Sequence, residues 1–259
     1  MKNLIKATIC ALCALLMPLT ARAGAVLDHI RASGALRVGT TGDYKPFSFR
    51  TADGSYSGAD IEMAAQLAAK LGVSVVFVPT VWSELTRDYT AGRFDIAVGG
   101  ITKLPARAAL GPFAHTILVD GKRPIVRCAD RDRFTSLNAL NRPDVHIVVN
   151  AGASNEAFAR TKLAAAQLTV HGDNVTVFDE IAAGRADAMV TDGVEVDHQS
   201  AVHAGVLCPA KVAEPFTHDE KAYWLEPDPD LLALVNAWLD DEIASGGWRR
   251  LFDQALVRP

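Results

Sequence analysis

The sequence predicts a two-lobed α/β protein, with two α/β lobes joined by two extended hinge strands. Three observations predict it. Strand-like and helix-like patterns alternate along the chain, which implies largely parallel pairing. The same alternation restarts near residue 146. Between and after the two halves run two extended stretches, "ILVDGKRPIVRC" and "AKVAEPFTHDEKAYWLEP". In these terms residues 24–122 with 213–259 make the first lobe and 123–212 the second, and a ligand cleft lies between them, closable by hinge motion.

Each element follows in order. "MKNLIKATICALCALLMPLTARA" carries Lys2 and Lys6, an apolar stretch, and then Ala21-Arg22-Ala23. It reads as a secretory signal over residues 1–23, too short and wrongly flanked for a membrane anchor. Cys10 and Cys13 fall inside it, and no cysteine stands at the cleavage point as a lipoprotein would need. The expected location is therefore periplasmic. "LDHIRASG" is a helix ended by Gly34, and "ALRVGTT" a strand. "GADIEMAAQLAAKLG" has apolar residues at helical spacing and ends at Gly72. "VSVVFVP" is a β-branched strand, "WSELTRDYTAGR" a helix and "FDIAVGG" a short buried strand.

In the second half "HIVVNAG" is a strand and "SNEAFARTKLAAA" a helix with Ser154 as its candidate cap. "QLTVHG" is a strand, "NVTVFDEIAAGR" a helix and "ADAMVTD" a strand. The end, "DLLALVNAWLDDEIASGGWRRLFDQAL", is helical and is expected to pack back on the first lobe.

The net charge is −4 and aromatic residues make up 7%. No basic stripe points to nucleic acid and no basic amphipathic segment to membrane insertion; the expected partner is a small molecule. Beyond the signal two cysteines remain, Cys128 and Cys208. In an oxidising compartment two cysteines pair, the alternative being two buried free thiols. Neither has a second ligand at zinc spacing. His171 and His198 form no zinc helix or Ser-His-Asp order, and "AVGGIT" lacks the lysine of a nucleotide loop. No metal and no cofactor is expected.

Several motifs carry a resemblance. "LDHIRASGALRVGTTGDYKPFSF", "GADIEMAAQLAAKLG", "FDIAVGGIT" followed by Arg107, and "GRADAMVTD" resemble the periplasmic amino-acid-binding proteins of ABC importers. The likeness spans essentially the whole chain after the signal. More narrowly, "TTGDYKPFSFRT", "VPTVW", "DGKRPI", "IVVNAGASNEAFAR", "VHGDNVTVF" and "TDGVE" look like the cyclohexadienyl dehydratases, exported enzymes on the same scaffold. That resemblance implies conversion of prephenate to phenylpyruvate and of arogenate to phenylalanine, with a non-catalytic amino-acid-binding subunit as the alternative. It also implies that Cys128 and Cys208 pair. The usual "SGIS" is "GGIT" here, so Gly99 stands in place of a hydroxyl, and "TKLPARAALGPF" is divergent.

The implied chemistry asks the protein to hold two carboxylates, protonate a leaving hydroxyl and exclude water. Glu195 resembles the family's general acid, and a carboxyl just beyond a strand's C-terminal end faces the cleft of an open α/β sheet. Read without the resemblance, Glu195 is a first-turn carboxylate favoured at a helix N-terminus. Asp192 sits where the binding proteins meet a ligand's ammonium, or caps the helix; Asp197 is read as solvated. Arg107 matches the arginine that grips an α-carboxylate, whose planes a guanidinium fork fits. Lys122 is a candidate for the second carboxylate, or a surface lysine. Ser154 and Asn155 start a helix able to hold an anion, and Asn150 should reach the cleft. Thr102 joins the set through the "GGIT" motif. Asp43, Tyr44 and Trp82 come from first-lobe loops, the two rings as a wall for the substrate or as core packing.

Overall fold

The computed structural model describes residues 24–257, so the expected signal over 1–23 lies outside the described residues. The first sheet runs in the order Trp224–Leu225, Ile96–Ala97, Ala35–Thr40, Ser74–Pro79. Ala35 pairs with Ser74 and Thr40 with Pro79 in parallel register, and only Trp224–Leu225 runs antiparallel. The helix Ala59–Leu71 buries Met63, Ala64, Leu67 and Ala68, the apolar stripe that its 3.6-residue period creates. The helices Pro229–Ala244 and Gly247–Val257 return to this lobe as expected, and Trp238, Leu239, Trp248 and Phe252 join Met63 and Leu67 in one core. Asp228 ties the ends together. Its carboxylate caps Asp230 and Leu231 and also accepts from the amides of Val26 and Leu27 in the first helix.

The second sheet has the order Gln167–His171, His146–Asn150, Ala188–Asp192, Lys122–Arg127, Leu207–Pro209. The first three strands are parallel, and within this sheet Lys122–Arg127 runs against both its neighbours, because it enters from the crossing rather than from a βα unit. Its register sets Lys122 directly opposite Asp192. Between the sheets Leu118–Asp120 and Asp219–Lys221 form a two-stranded antiparallel ribbon, and Lys221 also bridges to Thr102. Both extended crossings thus meet at the cleft.

The structure differs from the sequence reading at helix starts. Trp82 and Asn174 precede their helices, which begin at Leu85 and Val177. Both side chains instead bond to Asp43: Trp82 Nε1 donates to its carboxylate and Asn174 Nδ2 to its carbonyl, each over 3.0 Å. Ser154 is not the cap of Ser154–Lys162; Ala153 holds that position, with no side-chain cap. The turn before it needs Gly152, at φ 72°, where an added Cβ would lie 2.3 Å from Ser83 Cα of the other lobe.

Cys128, in the turn directly after the strand Lys122–Arg127, forms a disulfide with Cys208 of the neighbouring antiparallel strand, 80 positions apart in sequence. Replacing both by serine should lower unfolding free energy by about 2–4 kcal/mol, since a long loop is released in the unfolded chain. Denaturant titration of the oxidised and variant proteins checks this; identical midpoints would count against a stabilising bond.

Candidate active site

A narrow pocket lies between the lobes, and it gathers most of the residues the sequence singles out. Tyr44, Trp82, Thr102 and Arg107 come from the first lobe; Asn150, Ser154, Asn155, Asp192 and Glu195 from the second. Most sit at a strand end, in a first helical turn or in a short helix, where side chains point past the sheet's edge, while Trp82 comes from the loop before Leu85–Thr90 and Thr102 from an isolated bridge. Tyr44 and Trp82 meet edge to face at 6.0 Å and wall one side. Asp43 is not in the lining. It stands behind Trp82, accepting its indole N–H, and burial raises its pKa.

Glu195 belongs to the first turn of Gly193–Val202 and is 4% exposed. Thr191, the last residue but one of the preceding strand, donates its hydroxyl to Oε2. Asn155 Nδ2 in turn donates to Thr191 Oγ1 at 2.9 Å and to Asn150 Oδ1 at 3.0 Å. Burial pushes the Glu195 carboxyl up to about 7; the Thr191 hydrogen bond opposes this and the Asp192 charge adds to it. This carboxyl therefore carries a proton near neutral pH. Asp197, two residues on, is exposed and paired with Arg123.

Asp192 stands at the N-cap position of the same helix, yet its side chain caps nothing. Instead Oδ1 accepts from Lys122 Nζ at 2.8 Å, and Oδ2 from Lys221 Nζ at 2.5 Å and Tyr44 Oη at 2.7 Å. Burial opposes the charge, but the two ammonium groups outweigh it and hold this carboxyl well below the usual range. Lys122 is buried, not a surface lysine. Its three N–H groups go to Asp192, Asn155 Oδ1 and Ser154 Oγ, with Asp219 at 3.8 Å. Ser154 and Asn155 thus face a cation in this structure.

Arg107 is the counterpart. The short helix Pro105–Ala108 carries it inward, and it is 5% exposed. Its guanidinium donates to the Thr102 carbonyl at 3.2 Å and meets no carboxylate among the described residues. Burial alone pulls it down to about 10. A buried guanidinium without an anion is costly, and this one opens onto the cavity, where a ligand carboxylate would complete it. Gly99 does not line the cavity. A Cβ there would meet Ser48 Oγ at 2.9 Å and Thr40 Oγ1 at 3.1 Å, so the family's missing hydroxyl faces away from the ligand space. The backbone amides of Gly99 and Gly100 are held by buried Asp60.

Three residues escaped the sequence reading: Lys221, Thr191 and Asn174. Lys221 had a signal, since "DEK" in the second crossing repeats the acid-x-Lys of "DGK" in the first. Thr191 lies in the "TDGVE" segment, but only the helix turn shows that it reaches Glu195. Asn174 reaches the cavity from a loop, and its buried Oδ1 has no hydrogen-bond partner.

Residues 36–257 match the bacterial extracellular solute-binding proteins, family 3. The chain is 45% identical to the cyclohexadienyl dehydratase of Pseudomonas aeruginosa, over 89% of this chain and 85% of that one. It is 27% identical to an L-cystine-binding protein of Escherichia coli over 64% of this chain and 62% of that one. Among solved structures, an ancestral amino acid-binding protein described as a precursor of cyclohexadienyl dehydratase superposes with a TM-score of 0.80 at 36% identity, covering 89% and 98% of the two chains. An ancestral cyclohexadienyl dehydratase gives 0.55 at 48% identity, covering 89% and 95%. Sequence match, two-lobed architecture and solved relatives agree: the chain belongs to the bacterial extracellular solute-binding proteins, family 3.

Proposed function

We propose that this chain is a periplasmic cyclohexadienyl dehydratase, a carbon–oxygen lyase that converts prephenate to phenylpyruvate and arogenate to phenylalanine. One observation carries the reading. A buried carboxyl that keeps its proton near neutrality, Glu195, lines the same pocket as a buried guanidinium lacking an anion among the described residues, Arg107. A protein that only holds its ligand has no use for the first.

The residues divide the work. Arg107 receives one substrate carboxylate, and the two rings of Tyr44 and Trp82 flank the cyclohexadiene. Glu195 gives its proton to the ring hydroxyl. The carbon–oxygen bond breaks and water leaves; the bond to the ring carboxylate breaks, its electron pair completes the aromatic ring, and carbon dioxide departs. Aromatisation drives the step, so a single well-placed acid suffices. Thr191 orients that acid, and burial of the lining residues limits the access of bulk water.

Incubating the purified protein with prephenate and following phenylpyruvate absorbance in base tests the reading. Product that appears with the wild type supports it. No product, together with tight binding of an ordinary amino acid, gives the case to an importer's binding subunit, the reading favoured by the likeness to the L-cystine-binding protein.

The pH dependence has a definite sign. Only protonated Glu195 donates, and burial lifts its pKa from the ordinary 4.5 to about 7. Turnover should therefore be full below neutrality and decline as pH rises through about 7. A rate measured from pH 5 to 9 that stays flat would remove Glu195 from the acid role.

A further inference from the structure

We infer that Lys221, paired together with Lys122 on Asp192, makes this cleft selective for ligands whose α-carbon bears a keto oxygen over the same ligands bearing an ammonium. The inference rests on the proposed dehydratase reading for its choice of ligands, but its geometry stands apart from the catalytic step.

The charges can be counted from the contacts. Three buried cations reach the ligand space or bond into it: Arg107, Lys122 and Lys221, each 5% exposed or less. Against them stand two buried carboxyls, Asp192 and Glu195, and Glu195 is uncharged when poised to donate. Asp219 touches Lys122 at 3.8 Å from a partly open position, and Asp43 lies behind Trp82. With Glu195 protonated, Asp192 is the one buried anion beside three buried cations among the described residues; the half-buried Asp120 also acts on Lys221 through its charge. Both of its oxygens are already taken, by Lys122 on one side and by Lys221 and Tyr44 on the other.

An ammonium entering this space would be a fourth cation competing for that one carboxylate. It would have to displace a lysine, leaving a buried ammonium unpaired, and that is expensive in a low-dielectric interior. A keto oxygen makes no such demand. It accepts a hydrogen bond, and Lys221 has one to give. Its Nζ donates to Asp192 and to Thr102 Oγ1 at 2.8 Å, which leaves one of its three N–H bonds without an acceptor among the described residues. Lys122 has none left, and only Lys221 of the two lines the cavity. Lys221 therefore does two things. It neutralises Asp192, and it presents a donor where an ammonium would need an acceptor.

The test uses unreactive pairs, so that it does not depend on turnover. Phenylpyruvate and L-phenylalanine are titrated calorimetrically into the full-length mature protein at about pH 5.5, below the pKa of the Glu195 carboxyl, so that Glu195 is neutral. The wild type should bind the keto acid roughly tenfold more tightly or better, because specificity is a difference of two affinities and one partner brings an unpaired charge. In Lys221→Met that ratio should fall by about tenfold or reverse, since Asp192 then has an oxygen free for the ammonium. In Asp192→Asn the ratio should rise, because the one buried anion is gone. Equal wild-type affinities, or a folded Lys221→Met with the wild-type ratio, overturn the inference. If Lys221→Met does not fold, Asp192→Asn decides: an unchanged ratio overturns it and an increased one supports it. Absence of prephenate turnover would sink the dehydratase reading while leaving this ratio measurable.

Discussion

Glu195→Gln should lower turnover by about 10²–10⁴-fold, the usual contribution of a positioned general acid. The substitution keeps size and shape. A glutamine carbonyl can still accept the Thr191 hydroxyl, and the amide adds no charge to a buried site. What disappears is the transferable proton. Binding of prephenate, or of phenylpyruvate as product, should survive, because Arg107 and Lys221 are untouched. The effect should therefore fall on kcat with KM nearly constant, the sign of an interaction used only in the transition state. The remaining rate should also lose its decline through pH 7. Asp197→Asn is the control: that carboxylate is exposed and paired with Arg123, and its loss should leave kinetics unchanged. Full activity in Glu195→Gln would defeat the assignment.

Arg107→Ala should weaken substrate capture by about 2–5 kcal/mol, the range for removing one partner of a buried charge pair. That corresponds to a loss of roughly 30- to 5,000-fold in kcat/KM. The size follows from isolation. Arg107 has no carboxylate partner among the described residues, so a ligand carboxylate completes it, and without Arg107 that carboxylate is stranded at a buried site. Arg107→Lys should recover only part of the loss, because an ammonium cannot bind both oxygens in one plane. Stability should move the other way or hold, since removing an unpaired buried cation relieves a desolvation cost. Unchanged KM and kcat in Arg107→Ala would show that the ligand carboxylate is held elsewhere.

Much of the fold was legible because it is written locally. The helix Ala59–Leu71 declares itself through apolar spacing and a terminal glycine, and the strands Ala35–Thr40 and His146–Asn150 through β-branched runs. The repeated half and the two extended crossings announced two lobes. Helix starts failed where a side chain had a distant engagement: Trp82 and Asn174 serve Asp43, 39 and 131 positions away. The same division holds in the site. Glu195, Asp192 and Arg107 could be named from short motifs and from what carboxylates and guanidinium groups do at strand ends.

Their electrical state was legible only in part. A general acid at Glu195 implies a carboxyl desolvated and raised by closure, and burial does lift it to about 7; the opposing Thr191 hydrogen bond and the added Asp192 charge came only from the structure. Asp192 looked like a free clamp for an ammonium, and the tertiary structure fills it instead with Lys122 from 70 positions away and Lys221 from 29. Lys122 reaches it through the antiparallel register that sets it opposite Asp192, and Lys221 through the ribbon that bridges to Thr102, 119 positions off. The sequence by itself determined the elements, the two lobes and the kinds of group available, because periodicity and side-chain chemistry act over a few residues. The tertiary structure alone decided which charges are paired and which are stranded, because burial and Coulomb interactions depend on distance through space, and distance along the chain carries almost none of that information.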